Sequence, residues 1–282
     1  MKLDLSTPPP LAYFAALVQA DERLPLLEAA ASLAQDEYPG LDVQQVLADT
    51  DRLMVRLKRR VAPGASSMDR LQTLNQFFFG DLGFAGNVND YYNPDNSYLH
   101  VVLNTRRGIP ISLAVLWLEL AQGLTLQAEG VSFPGHFLVQ VKLGDGRVVV
   151  DPFTGTSLSR EELLERIEAF QPKGVSAMGG EVPLALYLQP AGARRILSRM
   201  LHNLQEIHRT QKDWARFVAV QDRLVTLLPR AWEEYRDRGL ALAELGERER
   251  ARADLRLYLR EATDAADRAL MADRLAELEG AS

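Results

Sequence analysis

A histidine and an aspartate are placed where they could act together as a general base. His136 and Asp151 flank two runs of apolar-rich residues, joined by the sequence Leu-Gly-Asp-Gly at residues 143–146. That tetrapeptide predicts a β-hairpin. A two-residue loop at 144–145 puts both side chains on one face as diagonal neighbours, and a loop at 145–146 keeps them on the same face. An odd-length loop would separate them. The carboxylate of such a pair orients the imidazole, although a histidine beside an aspartate is also a common structural pair.

A helix predicted between Gly108 and Gly123 must position this pair. Pro110 favours a helix start, and the second glycine favours a helix end. Nearly every residue between them is apolar, which is typical of a buried helix. Its first backbone amides lack partners within the helix and favour negative charge. Ser112 lies in the first turn of this helix, and the chain contains no cysteine.

A loop rich in Asn and Asp is predicted at residues 84–97. Long loops in compact domains often carry function, although Asn side chains also bond their own backbone. We expect Asn96 and Ser97 to cap the helix that follows. The candidate binding residues, from this loop and from the start of the apolar helix, are Tyr92, Asn96, Ser97, Pro110 and Ile111.

Four short segments carry a resemblance to a known family. They are Asn96-Ser97, RGIPIS at 107–112, FPGHFL at 133–138 and VDPF at 150–153. Together they resemble the SirB family of bacterial proteins, and the resemblance covers nearly the whole chain. It implies an α+β fold: a transglutaminase-like, papain-like domain of helix plus antiparallel sheet, with a helical N-terminal extension and α-helical tetratricopeptide-like repeats behind it.

The same resemblance implies roles for individual residues. In catalytic members of the transglutaminase-like superfamily a cysteine begins a central helix, and a histidine and an aspartate on adjacent strands complete the triad. His136 then matches the histidine and Asp151 the aspartate. The cysteine position falls within Pro110–Ser112, nearest Pro110, and holds no thiol. Ser112 is then the candidate replacement nucleophile, which would need a base within about 2.6–3.2 Å of its hydroxyl. Its alternative role is to bond local backbone. We therefore expect a relic site that has lost its nucleophile but can hold a small polar or anionic group.

Residues 190–282 contain a 34-residue periodicity. Two units run over 198–231 and 232–265, and a terminal helix covers 264–279. The second unit has Gly239 and Ala251 where packed tetratricopeptide helices need small residues, whereas the first has Gln205 and Phe217 there. We expect a short repeat array, which either presents a concave surface to a peptide or buttresses the front domain.

The 282 residues divide in sequence into a helical N-terminal extension at 1–97, a transglutaminase-like core at 98–189 packed with it, and repeats at 190–282.

Composition limits the class of protein. The net charge of −6 is concentrated in residues 1–189, which argues against a nucleic-acid partner. No apolar run approaches the roughly 20 residues of a membrane span, and no signal-peptide pattern begins the chain. We expect a cytoplasmic protein with no membrane partner, metal or other cofactor.

Three functions remain open from the sequence. The first is a non-catalytic binding or regulatory protein, with a protein or peptide partner on its repeats; the SirB resemblance implies an indirect part in gene regulation. The alternative is a hydrolase or acyl transferase of the protease or transglutaminase type, using Ser112, His136 and Asp151. In the third, the repeats at 190–282 capture the partner alone.

Overall fold

The computed structural model describes residues 8–144, 146–170 and 183–280. Its helices, in chain order, are α1 (Pro10–Leu17), α2 (Leu26–Ser32), α3 (Val43–Lys58), α4 (Ser67–Asn75), α5 (Leu99–Thr105), α6 (Pro110–Gly123), α7 (Arg160–Phe170), α8 (Leu184–Tyr187), α9 (Ala193–Gln211), α10 (Trp214–Leu227), α11 (Trp232–Glu244), α12 (Arg248–Glu261) and α13 (Arg268–Gly280). Its strands are β1 (Ala85–Gly86), β2 (Arg107–Gly108), β3 (Ala128–Val131), β4 (Leu138–Leu143), β5 (Gly146–Val150), β6 (Ser157–Leu158) and β7 (Pro190–Ala191).

The described residues form two compact units. The repeat unit comprises those within Met1–Leu24, Gln35–Pro39 and Ser198–Ser282, and the α6 unit those within Pro25–Ala34 and Gly40–Leu197. Helix α9 contributes residues to both units, because the boundary falls inside it. The division into regions 1–97, 98–189 and 190–282 stays a prediction.

Helix α6 is the centre of its unit. Leu113, Ala114 and Trp117 are fully buried, as expected for a helix with apolar residues on every side. The helix contacts α2, α3 and α5 as well as strands β3 and β4. The one polar group that Trp117 carries is also satisfied, since its indole Nε1 donates to Oδ1 of Asn75 at 3.0 Å. The prediction of a buried helix starting at Pro110 is confirmed.

An antiparallel sheet lies beside this helix, in the strand order β6-β5-β4-β3-β7. Leu143 pairs with Gly146, so the hairpin has the two-residue loop at 144–145. Gly144 takes a φ of +55°, a left-handed conformation that suits a tight hairpin turn. Asp145 itself lies outside the described residues. Helices and an antiparallel sheet together give the predicted α+β class.

A separate two-stranded parallel pair connects the Asn-rich loop to the start of α6. Gly86 of β1 pairs with Gly108 of β2, two residues before the helix begins. The amide of Asn87 also donates to the carbonyl of Gly108, at 3.0 Å. These bonds fix the loop after β1 against the first turn of α6.

The repeat unit contains the predicted helix pairs. Helix α11 packs on α10 and α12, and α12 packs on α13. A Cβ atom at Gly239 would lie 3.2 Å from the Cβ of Asp254, so only a small residue allows α11 and α12 to approach this closely. Tyr258 of α12 is fully buried, and Met271 of the terminal helix joins the same apolar cluster.

Helix α1 also belongs to the repeat unit, through its contact with α10. The guanidinium of Arg223 on α10 lies 5.1 Å from the ring centre of Phe14, which is fully buried. Its Nε donates to the carboxylate of Asp36 at 2.5 Å. Arg223 is almost wholly buried. Among the described residues, its positive charge is balanced by the carboxylate of Asp36 and lies over the ring of Phe14.

Candidate functional site

His136 and Asp151 meet at one end of the β4–β5 hairpin. His136 lies in the bend two residues before β4, and Asp151 directly follows β5. Nε2 of the imidazole is 2.8 Å from Oδ1 of the carboxylate. The prediction that both side chains share one face is therefore confirmed. The Asp151 side chain is 2% exposed and the His136 side chain 21%, so the acid lies inside and the ring reaches the surface.

Two further groups hold the Asp151 carboxylate. The backbone N–H of Phe153 donates to Oδ1 at 2.9 Å, and Nη1 of Arg166 on α7 donates to Oδ2 at 3.0 Å. Burial raises the pKa of Asp151, but the bonds from His136, Phe153 and Arg166 together outweigh it and leave the pKa below its ordinary value of 3.8. The carboxylate is therefore ionised at neutral pH and acts only as an acceptor.

The other nitrogen of His136, Nδ1, takes no part in the contact with Asp151. Nδ1 has no hydrogen-bond partner among the described residues, whereas Nε2 is bound to Asp151. A neutral imidazole that donates from Nε2 keeps an acceptor lone pair on Nδ1. This geometry would let Nδ1 accept a proton or a hydrogen bond from a group that approaches the partly exposed ring.

Phe153 links the His–Asp pair to the helix start. Its ring packs edge-on against His136, with centroids 6.3 Å apart, and its carbonyl accepts from the amide of Gly86 at 2.8 Å. A Cβ at Gly86 would lie 2.2 Å from the Phe153 ring, so β1 needs glycine here. Gly86 also pairs with Gly108 just before α6. Strand β1 therefore links Phe153, whose ring lies beside His136, to the start of α6.

Ser112 makes its hydrogen bonds to backbone groups. Its hydroxyl is fully buried and lies 2.6 Å from the carbonyl of Asn96 and 3.0 Å from that of Ile109, and it accepts from the Ile109 amide at 3.1 Å. The hydroxyl thus closes the first turn of α6 and ties it to the 3-10 turn Pro94–Ser97. No hydrogen bond joins Ser112 to His136, both of which are described. A nucleophilic role for Ser112 stays a prediction.

Asn96 shapes the Asn-rich loop instead of capping a helix. Its Nδ2 donates to the carbonyls of Asp90 and Tyr91, at 2.6 and 3.2 Å, and its Oδ1 accepts from Asn87 at 2.9 Å. Helix α5 has Tyr98 as its N-cap, without a side-chain cap bond. The capping prediction for Asn96 and Ser97 is wrong, because the loop takes all the bonding groups of the asparagine.

The other candidate binding residues differ in accessibility. Asn96, Ser97 and Ile111 are buried, as is Pro110, whereas Tyr92 is 75% exposed. Tyr92 packs against Tyr91, whose ring in turn lies 6.0 Å from that of Phe153. Tyr92 is therefore the member of the set that a ligand could reach without rearrangement, and the binding role of all five stays a prediction.

Sequence reasoning missed two of the groups around Asp151. The Phe153 amide had a detectable signal, because an aspartate often accepts from the backbone two residues later. Arg166 had none, since its position depends on where α7 packs. Among the described residues, no group of three or more His, Asp or Glu side chains could hold a metal ion. No helix in the same part of the chain has the length and apolarity to cross a bilayer.

Comparison with known proteins adds the family. A model of the transglutaminase-like superfamily matches residues 44–202, and a tetratricopeptide-repeat model matches 204–276. A UPF0162 protein of Xylella fastidiosa is 42% identical over 244 residues, covering 85% of this chain and 84% of its own. A UPF0162 protein of Pseudomonas aeruginosa is 29% identical, covering 92% and 93%.

A partial match extends to a eukaryotic protein. F-box only protein 21 of Mus musculus is 34% identical over 134 residues, which are 48% of this chain and 21% of that protein. The likeness to the bacterial relatives, by contrast, spans most of both chains. The chain therefore belongs to the UPF0162 (SirB-type) family, with a domain of the transglutaminase-like superfamily followed by tetratricopeptide repeats.

Proposed function

We propose that this protein is a non-catalytic member of the transglutaminase-like superfamily that acts as a binding or regulatory module. The observation that carries the proposal is at the start of α6, which matches the position of the nucleophilic cysteine in catalytic members of the superfamily. No thiol is present in the chain, and the hydroxyl of Ser112 is buried and bonded to backbone. What persists is an oriented His136–Asp151 pair without a nucleophile.

The retained pair suits a small polar ligand. Nδ1 of His136 is an acceptor with no described partner, and its ring is partly exposed beside Phe153. A ligand amide or hydroxyl that donates to Nδ1 would place its apolar part against that ring. The ionised Asp151 keeps the imidazole in the required orientation, as the acid of a triad does.

The repeats supply the surface for a protein or peptide partner. Tetratricopeptide helix pairs stack into a curved array whose inner face holds extended or helical segments. The match of residues 204–276 to this repeat supports that role. Together the two units would form a regulatory protein of the cytoplasm that couples a small-ligand site to a partner site.

A second candidate is a hydrolase or acyl transferase that uses Ser112, His136 and Asp151. The 2.8 Å bond between the last two favours it, because this is how a general base is prepared. The bonding of the Ser112 hydroxyl opposes it, since a nucleophile needs its base within hydrogen-bond reach.

Labelling with a fluorophosphonate separates the two functions. The full chain, Ser112→Ala and His136→Ala would be incubated with the probe and measured as intact proteins by mass spectrometry. We expect no adduct at Ser112 in the native chain. An adduct there that disappears in both variants would establish the hydrolase and overturn our proposal.

Ligand binding at the pair can be read from the imidazoles directly. The chain has four histidines, so the ¹⁵N spectrum of a histidine-labelled sample is simple to assign with single His→Gln variants. We expect neutral His136 to carry its proton on Nε2, and acetamide, as a probe for amide donors, to shift its Nδ1 signal alone. A spectrum unchanged by acetamide, acetate and glycerol would mean that the pair is only structural.

A further inference from the structure

A small cavity between α3 and α5 carries an excess of positive charge. Its volume is about 260 Å³, and three arginines, Arg52, Arg56 and Arg106, line it beside a single acidic residue, Asp49. It lies within the α6 unit, and its lining shares no residue with the His136–Asp151 site. Nothing in the proposed function uses these residues.

Two of the three arginines lack a carboxylate partner. Arg52 and Asp49 form an exposed ion pair with each other, so their charges cancel. Arg56 and Arg106 make no ion pair within the part of the chain that the structure describes, and each lies over an aromatic ring instead. The guanidinium carbons are 5.7 Å from the centroid of Phe77 and 4.6 Å from that of Phe84, respectively.

Arg106 is held in place by its backbone. It ends α5 in a left-handed conformation, with a φ of +60°, and its amide donates to the carbonyl of Val102 at 2.9 Å. A residue with a side chain as large as arginine rarely adopts this conformation, so the surrounding structure must impose it. The guanidinium also lies over the ring of Phe84, which adds a cation–π contact to the position set by the backbone.

One N–H group of the Arg106 guanidinium lacks a hydrogen-bond acceptor within the described part of the chain. Nη1 of Arg106 is buried without a hydrogen-bond partner among the described residues. Burial, together with the nearby charge of Arg56, lowers the pKa of Arg106. A buried N–H of a charged group without an acceptor is costly, and an anion between the two arginines would reduce that cost.

We infer that this cavity binds a small phosphate-bearing molecule or inorganic phosphate. Two guanidinium groups with ten N–H donors between them match an oxyanion with several acceptor oxygens and a double charge. The volume is below the 300–1,000 Å³ or so of sites for drug-sized ligands, so the bound anion is small. The buried side chains of Leu53 and Leu103 form an apolar part of the cavity wall.

Calorimetric titration of the full chain tests this assignment. Inorganic phosphate, pyrophosphate, sulfate and acetate would be titrated separately in a low-salt Tris buffer. We expect one phosphate per chain, weaker binding of acetate, and a loss of affinity as sodium chloride is added. Arg56→Gln should weaken phosphate binding about tenfold or more, because it removes charged hydrogen bonds. Arg147→Gln, a change at an exposed residue of β5, should bind like the native chain.

The design keeps loss of binding apart from loss of folding. Arg56 is exposed, so Arg56→Gln should keep the native circular dichroism spectrum and melting temperature. Arg106→Gln also gives up its packing on Phe84, and Arg106→Lys checks whether charge alone suffices. No heat from phosphate with the native chain, or equal affinity in folded Arg56→Gln, overturns the inference. Acetate binding as tight as that of phosphate overturns the choice of ligand class.

Discussion

At the scale of single residues, two polar side chains near the site have different roles. Asp151 is bonded by His136, by Arg166 and by a backbone amide, so its charge orients an imidazole. Ser112 is bonded only to backbone groups, so its hydroxyl stabilises a helix terminus. Both are buried, and burial alone would not distinguish them. The hydrogen-bond partners of each side chain distinguish the two roles.

Asp151→Asn should destabilise the α6 unit in a pH-dependent way. Because the folded-state pKa of Asp151 is lowered, the unfolded chain takes up its proton more readily as the pH falls. The stabilisation is therefore complete above about pH 4 and is lost as the pH falls through the folded-state value. We expect a cost of about 2–3 kcal/mol at pH 7, from the lost charged hydrogen bonds.

Urea unfolding of both proteins from pH 7 to pH 3 measures this effect. The difference between native chain and Asp151→Asn should be constant down to about pH 4 and shrink below it. Asp273→Asn, a change on helix α13 outside the α6 unit, serves as the control. A difference that does not depend on pH would contradict the role given to the carboxylate.

At the scale of elements, the sequence predicted the helix and the hairpin whose conformation depends mainly on neighbouring residues. One glycine-containing turn predicted the β4–β5 hairpin and the shared face of His136 and Asp151. The unbroken apolar run predicted α6. Helix α4 begins with a capping box between Ser66 and Asp69. The neighbouring Ser67 could also begin a helix by local rules, but the carboxylate three residues after Ser66 favours Ser66.

The groups that the sequence did not predict depend on tertiary packing. Arg166 reaches Asp151 because α7 lies alongside the hairpin, and nothing in the helix sequence specifies that. Asn96 could cap a helix or bond its loop, and the fold provides three loop partners. Arg106 faces a cavity that two separate helices enclose. Each position results from long-range contacts, whereas sequence patterns report short-range ones.

Strand β1 offers a direct test of how the site is assembled. Gly86→Ala would force a methyl group into the space of the Phe153 ring, at a cost of about 1–3 kcal/mol for overpacking. Gly40→Ala is the matched control, because a Cβ there meets nothing within 4 Å. We expect Gly86→Ala, but not Gly40→Ala, to lower the melting temperature and to shift the His136 imidazole signals. An unshifted His136 would show that the Phe153 ring does not set its environment.

At the scale of the whole molecule, the repeats are not self-contained. Arg223 on α10 is nearly inaccessible, and its partners are Phe14 and Asp36 near the other end of the chain. A fragment that starts at residue 190 would expose this cation's apolar surroundings and remove its counterion. Tests of partner capture by the repeats should therefore include the N-terminal residues.

Phe14→Ala should weaken the repeat unit selectively. Truncation of a buried phenylalanine costs about 3–5 kcal/mol, and here it also removes the ring under Arg223. Leu11→Ala, on the same helix but exposed, should change little. Hydrogen exchange followed by mass spectrometry would resolve the effect, with faster exchange in α10–α12 and unchanged protection in α6. Equal loss of protection in α6 and α10–α12 would contradict the assignment of α1 to the repeat unit.

The contact between Asp36 and Arg223 joins residues 187 positions apart, and this separation has a consequence during synthesis. A ribosome that adds about 5–20 residues per second needs roughly 10–40 s to produce the second partner after the first. Helix α1 and its buried phenylalanine leave the exit tunnel early and remain without their docking surface throughout that interval. The nascent chain would therefore present an apolar segment to chaperones or proteases until translation of α10 is complete. In a truncated chain that lacks α10, helix α1 would stay exposed and could be recognised by them.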